Sequence, residues 1–241
     1  MKKTLFALCI LFASIFTITS CDPATSTSEG SVQGIYTVDR NFLRPEMNDT
    51  AYFSVKNIKE HGLKDGDRAY ITLGYEIDNY FGPSSAVYYI KSVEAIIPVY
   101  GLTAKEEIDA TVYSAPVTGL QEILINSDGL LSAMWLFKKH QNINIVYKSN
   151  GTEGDFKLSP AGLSGDTVCF TLNAKIEQGN IFMGKFLSFD VSSIASMLTA
   201  EEAKELATFD SIYTKIAIPC DINGTIETKH PFGGKYKNYL K

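Results

Sequence analysis

Histidine is scarce in this 241-residue chain, with only His61, His140 and His230. None stands at a ligand spacing from cysteines or carboxylates, so no metal site is expected. His61 and His140, beside Glu60 and Lys139 in turn-like polar stretches, read as solvated loop residues. No serine occupies a nucleophile-elbow pattern. The paired carboxylates Glu106-Glu107 and Glu201-Glu202 fall at helix starts, where the helix dipole accounts for them. The sequence therefore nominates no catalytic residue and no cofactor. Cationic residues are in deficit too, 22 Lys and Arg against 27 Asp and Glu, and this argues against a nucleic-acid partner, whose phosphates must be neutralised by Lys and Arg.

Long apolar runs are missing except at the start. Met1-Lys2-Lys3 is a short cationic head, followed by an apolar stretch from Thr4 to Thr19 and the small residue Ser20, the layout of a secretory signal peptide. A spanning helix needs about 20 apolar residues, and the polar tract that follows is no stop-transfer cluster. Ile18-Thr19-Ser20-Cys21 resembles the site at which bacterial lipoproteins are cleaved and their cysteine receives diacylglycerol. With two or more acyl chains on Cys21, each at about 0.8 kcal/mol per buried CH₂, the mature protein would be held on a membrane. Removing Lys2 and Lys3 with the signal takes the formal charge from −5 to −7.

Cysteine is equally sparse. Cys9 leaves with the signal and Cys21 is modified, so only Cys169 and Cys220 remain. An exported compartment permits a disulfide, but Cys169 shares the polar parity of its strand and Cys220 the apolar parity of its own, which argues against the pair.

What the chain has in quantity is β-forming residues, with 13 Tyr and 14 Phe. Residues 1–20 are the signal peptide, and 21–31, rich in Ser, Thr, Pro and Gly, read as a flexible tether. From Val32 strands dominate: Val32 to Asp39, Thr50 to Asn57, a cleanly alternating run Ala69, Ile71, Leu73, Tyr75, Ile77, and a long strand from Ala86 to Val99. Closely spaced strands over 32–102 predict a small barrel. Thr103 and Glu106 have capping-box spacing, and 103–112 serves as the linker. Beyond it, at 113–241, strands near Gln121 to Asn126, Leu131 to Lys138, Ile143 to Lys148, Thr167 to Ile176, Lys185 to Val191 and Ser211 to Asp221 predict a β-sandwich. Thr199-Ala200-Glu201-Glu202 predicts one short helical insert over about 200–208. The fold class is thus mainly all-β, a small barrel followed by a sandwich.

Several stretches carry a family resemblance. The lipoprotein signal, Gly62-Leu63-Lys64-Asp65-Gly66-Asp67-Arg68 leading to Tyr75-Glu76-Ile77, Tyr89-Ile90-Lys91-Ser92-Val93, and Val168-Cys169-Phe170 through Leu187-Ser188-Phe189-Asp190-Val191 resemble the NigD-like lipoproteins of the Bacteroidetes. The resemblance spans most of the mature chain. It implies an oligonucleotide/oligosaccharide-binding (OB) type barrel before a C-terminal sandwich, and an address in the cell envelope, with the outer membrane expected. Only Asp22 and Glu29 are acidic between Cys21 and Gly30, so the tract that marks many surface-exported lipoproteins of that phylum is thin, and the periplasmic and surface faces stay open. Asp49-Thr50-Ala51, Asp166-Thr167-Val168 and Asp210-Ser211-Ile212 resemble the acceptor for O-glycosylation in the same phylum, at Thr50, Thr167 and Ser211.

Two motifs remain. Gly179-Asn180-Ile181-Phe182-Met183-Gly184-Lys185 imitates a phosphate-binding loop, but Phe186 replaces the magnesium-binding hydroxyl and a strand follows where the motif needs a helix, so a hairpin is expected. Tyr75, Tyr80, Phe81, Tyr88 and Tyr89 flank one loop of the expected barrel. Core packing accounts for Tyr75 and Tyr89, which leaves Tyr80 and Phe81 as candidate ligand contacts. The expected function is a non-enzymatic binding module, tethered by the lipid on Cys21, with a protein or glycan partner. The alternatives are a hydrolase or other enzyme whose site is dispersed in sequence, and a bacteriocin-immunity-type lipoprotein.

Overall fold

A computed structural model of the chain describes residues 27–48, 50–78, 86–125, 131–219, 224–228 and 235–241. It is mostly β, with a curled half-barrel sheet, further sheets and, among the described residues, a single α-helix.

The first sheet is built by β1 (Thr27–Asp39), β2 (Phe42–Pro45), β3 (Phe53–Ser54), β4 (Arg68–Asp78) and β5 (Val87–Ile96), in the order β3-β2-β1-β4-β5. A parallel bridge from Val55 to Tyr88 brings its two ends together. Asn57 seals the same edge: its carboxamide accepts from the Ile90 amide at 2.8 Å and donates to the Ile90 carbonyl at 2.9 Å, standing in for a neighbouring strand. Alternation sends Tyr36 and Val38 of β1, Ala69, Ile71 and Leu73 of β4, and Ile90 of β5 to the inside, where they form a core with Leu43, Ile58 and Leu63.

The rest of the chain carries β6 (Val99–Gly101), β7 (Gly119–Leu120), β8 (Ile123–Leu124), β9 (Leu131–Ser132), β10 (Met134–Phe137), β11 (His140–Ser149), β12 (Asp155–Ser164), β13 (Thr167–Lys175), β14 (Ile181–Asp190), α1 (Ala200–Leu206), β15 (Ser211–Ile218), β16 (Gly224–Thr228) and β17 (Tyr236–Lys237). One sheet runs β10-β11-β14-β6, with β7 beside β11. A second runs β12-β13-β15-β16, with β17 beside β15. Ile143, Ile145, Tyr147, Leu187 and Phe189 from the first meet Leu158, Val168, Phe170, Leu172 and Ile216 from the second in one large core.

Several expectations need correction. The tether is shorter than residues 21–31, because β1 begins at Thr27 and pairs with β4 from there to Thr37. The strand expected over Thr50 to Asn57 shrinks to Phe53–Ser54. β6, inside the range expected for the barrel, pairs in parallel with β14 of the second unit, since Pro98 interrupts the run after Ile96. At Lys105–Glu107 there is one 3₁₀ turn, but its cap is Ala104 and no side chain caps it, so Thr103 and Glu106 form no capping box. β12 was not expected; its run is broken by Pro160 and Gly162, and a register shift between them absorbs both, as suits an edge strand. Thr199, in contrast, does cap α1: it accepts from the Glu202 amide, and Glu202 accepts from the Thr199 amide at 3.0 Å.

Candidate binding face

The outer side of the first sheet falls into four rows set by strand register. Ile35, Tyr70 and Ala95 make the first, Gln33, Thr72 and Ser92 the second, Ser31, Gly74 and Tyr89 the third, and Glu29, Glu76 and Val87 the fourth. Only the first row meets the C-terminal core: Ile35 is fully buried in it and Tyr70 packs against it. The other three rows continue past the seam.

The seam itself is polar. Glu46, which follows β2, and Arg68, the first residue of β4, form an ion pair at 2.9 Å with both side chains only 1 % exposed. The same Glu46 oxygen accepts from Trp135 Nε1 at 3.1 Å and from Asn142 Nδ2 at 3.2 Å. The Arg68 guanidinium also donates to Asn142 Oδ1 at 3.2 Å and to the Ser188 hydroxyl. Among the described residues its Nε has no hydrogen-bond partner. Charge-assisted bonds of this kind are directional, and here they fix how the barrel sits on β10, β11 and β14. Met47 beside Glu46 takes φ +64°, a conformation unfavourable for a side chain that long, and packs against the large core. These polar groups converge where solvent does not reach, so their chemistry is that of a clamp.

His140 borders this seam. It opens β11 and is half-buried, which corrects the reading of it as a solvated loop residue. Burial first, and the neighbouring Arg68 charge second, bring its pKa from 6.5 down to about 4. His61 lies at the end of a 3₁₀ turn, within 3.1 Å of the Asn57 amide. His230 lies outside the described residues, among which no cluster of metal-ligating groups occurs.

On the open rows, Gln33 Nε2 donates to Thr72 Oγ1 at 3.4 Å, and Thr72 and Ser92 both donate to Glu94 Oε1, at 3.1 and 2.6 Å, a polar belt across all three strands. Above the belt, the Tyr89 ring lies over Gly74, its register partner: a methyl group there would stand 2.6 Å from the ring. Ring and glycine need one another, the glycine letting the aromatic cover the backbone. Burial, then Glu29 and Glu76, push the Tyr89 phenol pKa up. Tyr89 therefore serves the outer face, not the core that the sequence suggested for it. Glu29 and Glu76 are themselves direct partners across β1 and β4. Like charges so placed repel, on the scale of about 0.2–1 kcal/mol typical of cross-strand pairs.

On the inner side, Tyr75 covers Gly30 in the same way and belongs to an aromatic ladder. Tyr36 and Phe53 stand 6.0 Å apart, Phe53 and Tyr88 4.7 Å, and Tyr88 and Tyr75 6.2 Å. The candidate contacts Tyr80 and Phe81 lie outside the described residues, as do Cys21 and Cys220. Cys169 is half-buried on β13, on the more exposed parity expected for it. Thr50 is exposed in the loop before β3 and hydrogen-bonds Asn48 Oδ1 at 3.2 Å. Thr167 and Ser211 open β13 and β15 and are half-buried. The imitation phosphate loop runs straight into β14, but the hairpin expected there is not formed: β13 pairs with β12 and β15, β14 with β11 and β6, so the segment crosses from one sheet to the other. Gly179 has a packing reason, since a methyl group on it would meet the Ser149 carbonyl and the Asn150 amide.

No protein-family model matches this chain, nor does any curated protein compared with it. Solved structures do. A protein of Parabacteroides distasonis described as toxin-related is 14% identical, covers 87% of this chain and 94% of its own, and superposes with a TM-score of 0.57. A protein of Bacteroides fragilis described as a lipoprotein is 16% identical over 87% of this chain and 98% of its own, with a TM-score of 0.56. A NigD-like immunity protein of Bacteroides caccae is matched at 15% identity over 90% and 99%, with a TM-score of 0.45. By the first two superpositions the chain is similar in fold to these proteins of Parabacteroides distasonis and Bacteroides fragilis.

Proposed function

We propose that this protein is a lipoprotein of the cell envelope, carried on the outer membrane by acyl chains on Cys21, and that it works as a non-enzymatic binding module. The observation that supports the binding role is the outer sheet face, three rows of which extend beyond the seam while the polar groups that converge elsewhere are sealed inside it. The strand order β3-β2-β1-β4-β5, with β3 and β5 bridged in parallel, agrees with a partly open OB-type barrel. Barrels of that type bind along strands 2 and 3 and at the loop joining strands 4 and 5. In this chain Tyr80 and Phe81 lie in sequence between β4 and β5. The neighbour described as a lipoprotein supports the address.

Two measurements test the reading. Cys21→Ala protein should lose its acyl chains and leave the membrane fraction; retention of acylation refutes the anchor. Affinity capture from native envelopes with the full-length protein should return a specific partner, whereas release of a low-molecular-weight product from envelope extracts would place the protein among the enzymes.

A further inference from the structure

We propose that the outer face of β1, β4 and β5, centred on Tyr89, Glu29 and Glu76, is the docking surface for a basic segment of a partner protein, one presenting Arg or Lys side chains. The inference rests on the reading of this chain as a binding module and names the face and the chemistry of its occupant.

Three independent features converge there. The Tyr89 ring covers Gly74, with ring carbons 2.6 and 2.7 Å from where a methyl group there would stand, and so offers an aromatic surface on this face. Glu29 and Glu76 are register partners one row further out, both exposed, and neither side chain makes an ion pair or hydrogen bond among the described residues. Placing two carboxylates opposite one another works against the sheet, and a neighbouring protein cation relieves that repulsion. Glu94, oriented by Thr72 and Ser92, closes the lower side. Among the described residues of β1, β4 and β5 on this face, the cation beside these three carboxylates is Lys91, at the bulge next to Tyr89, its Cε 3.0 Å from where a methyl group on Gly74 would stand. A guanidinium or ammonium group stacked on the Tyr89 ring and reaching both glutamates satisfies the platform and the like-charge pair together. A neutral glycan could use the ring but leaves the Glu29–Glu76 repulsion in place, and an anionic partner increases it. The whole chain carries a formal charge of −5, so the long-range field also favours approach of a cationic partner.

The test uses the full-length lipidated protein in detergent micelles and a fluorescein-labelled octa-arginine peptide, followed by anisotropy. Glu29→Gln with Glu76→Gln, and separately Tyr89→Ala, should each weaken peptide binding by about ten-fold or more. Tyr89→Phe, which keeps the ring, should retain it. Glu106→Gln with Glu107→Gln, an equal charge change at an exposed turn, should alter affinity by less than about two-fold. The double Gln variant should also melt no lower than the parent, because it removes a repulsion, and this separates lost binding from lost folding. Equal weakening by both double variants would reduce the effect to net charge and overturn the proposal. So would binding of a neutral oligosaccharide such as chitohexaose that depends on Tyr89 while peptide binding does not. An envelope partner captured equally well by the parent and by the Glu29/Glu76 variant would leave the binding-module reading standing and remove this face from it.

Discussion

Replacing Arg68 with alanine tests how the two halves of the molecule are joined. In the folded chain the Glu46 carboxylate is held by Arg68 Nη2 at 2.9 Å, Trp135 Nε1 at 3.1 Å and Asn142 Nδ2 at 3.2 Å. Both members of the ion pair are 1 % exposed, so solvent screening does not reduce the effect of removing one. Arg68→Ala leaves a buried carboxylate with two neutral donors, and breaking a buried pair in this way costs about 3–5 kcal/mol. At about 2–4 °C per kcal/mol for a chain of this length, Tm falls by about 6–20 °C. Glu46→Leu should cost a similar amount, since it strands the guanidinium. The double variant, Arg68→Met with Glu46→Leu, removes both charges and should lose less than the two single losses combined, by about 0.5–3 kcal/mol. Urea unfolding is the assay. Trp135 is the only tryptophan and donates directly to Glu46, so its fluorescence reports the seam while far-UV circular dichroism reports the sheets. A loss below about 1 kcal/mol for Arg68→Ala, or strictly additive single and double variants, would refute the clamp.

Three further outcomes follow. His140, its pKa lowered from 6.5 to about 4, is neutral when folded but takes up a proton when unfolded, so its contribution to stability is complete above about pH 6.5 and is lost as pH falls toward 4. His140→Asn should flatten the pH dependence of the urea midpoint across that window. Asp190 does not mask the effect: burial opposes its ionisation, but hydrogen bonds from Lys139 and Ser192 outweigh that and hold its pKa at about 2. Gly179→Ala should destabilise by about 1–3 kcal/mol in thermal melts, because the added methyl group meets backbone at Ser149 and Asn150, which cannot swing aside; an unchanged Tm would show that the connection between β13 and β14 yields. Intact mass of the native protein should show acyl chains together with hexose increments if Thr50, Thr167 and Ser211 are O-glycosylated, and lipid alone would remove that assignment. Thr50, the exposed one of the three, is the site expected to carry the modification first.

Much of the fold was legible because period-two alternation is a local signal. Ala69 to Ile77 and Ile143 to Lys148 alternate so regularly that β4 and β11 could be placed within a few residues, and Thr199 with Glu202 marked α1. The failures have equally local causes. Pro160 and Gly162 break the run of β12, and the Ser, Thr and Gly content before Val32 hid the first third of β1. That second miss also concealed the candidate face, since Glu29 stands opposite Glu76 only once Thr27 to Ser31 is a strand. Tyr89 was read as core, whereas its register with Gly74 puts it on the opposite side.

The sequence by itself determined the mainly β class, because strand parity is written over a few adjacent residues, and its cationic head, apolar run and Cys21 in linear order are what the proposed envelope address rests on. Only the tertiary structure decided which strands are neighbours, and with that everything that depends on pairing across long separations. Arg68 meets Glu46, Asn142 and Ser188, and Glu29 meets Glu76, through register and sheet packing; no local pattern encodes those encounters, because the energy that fixes them comes from burying cores shared by residues far apart in the chain.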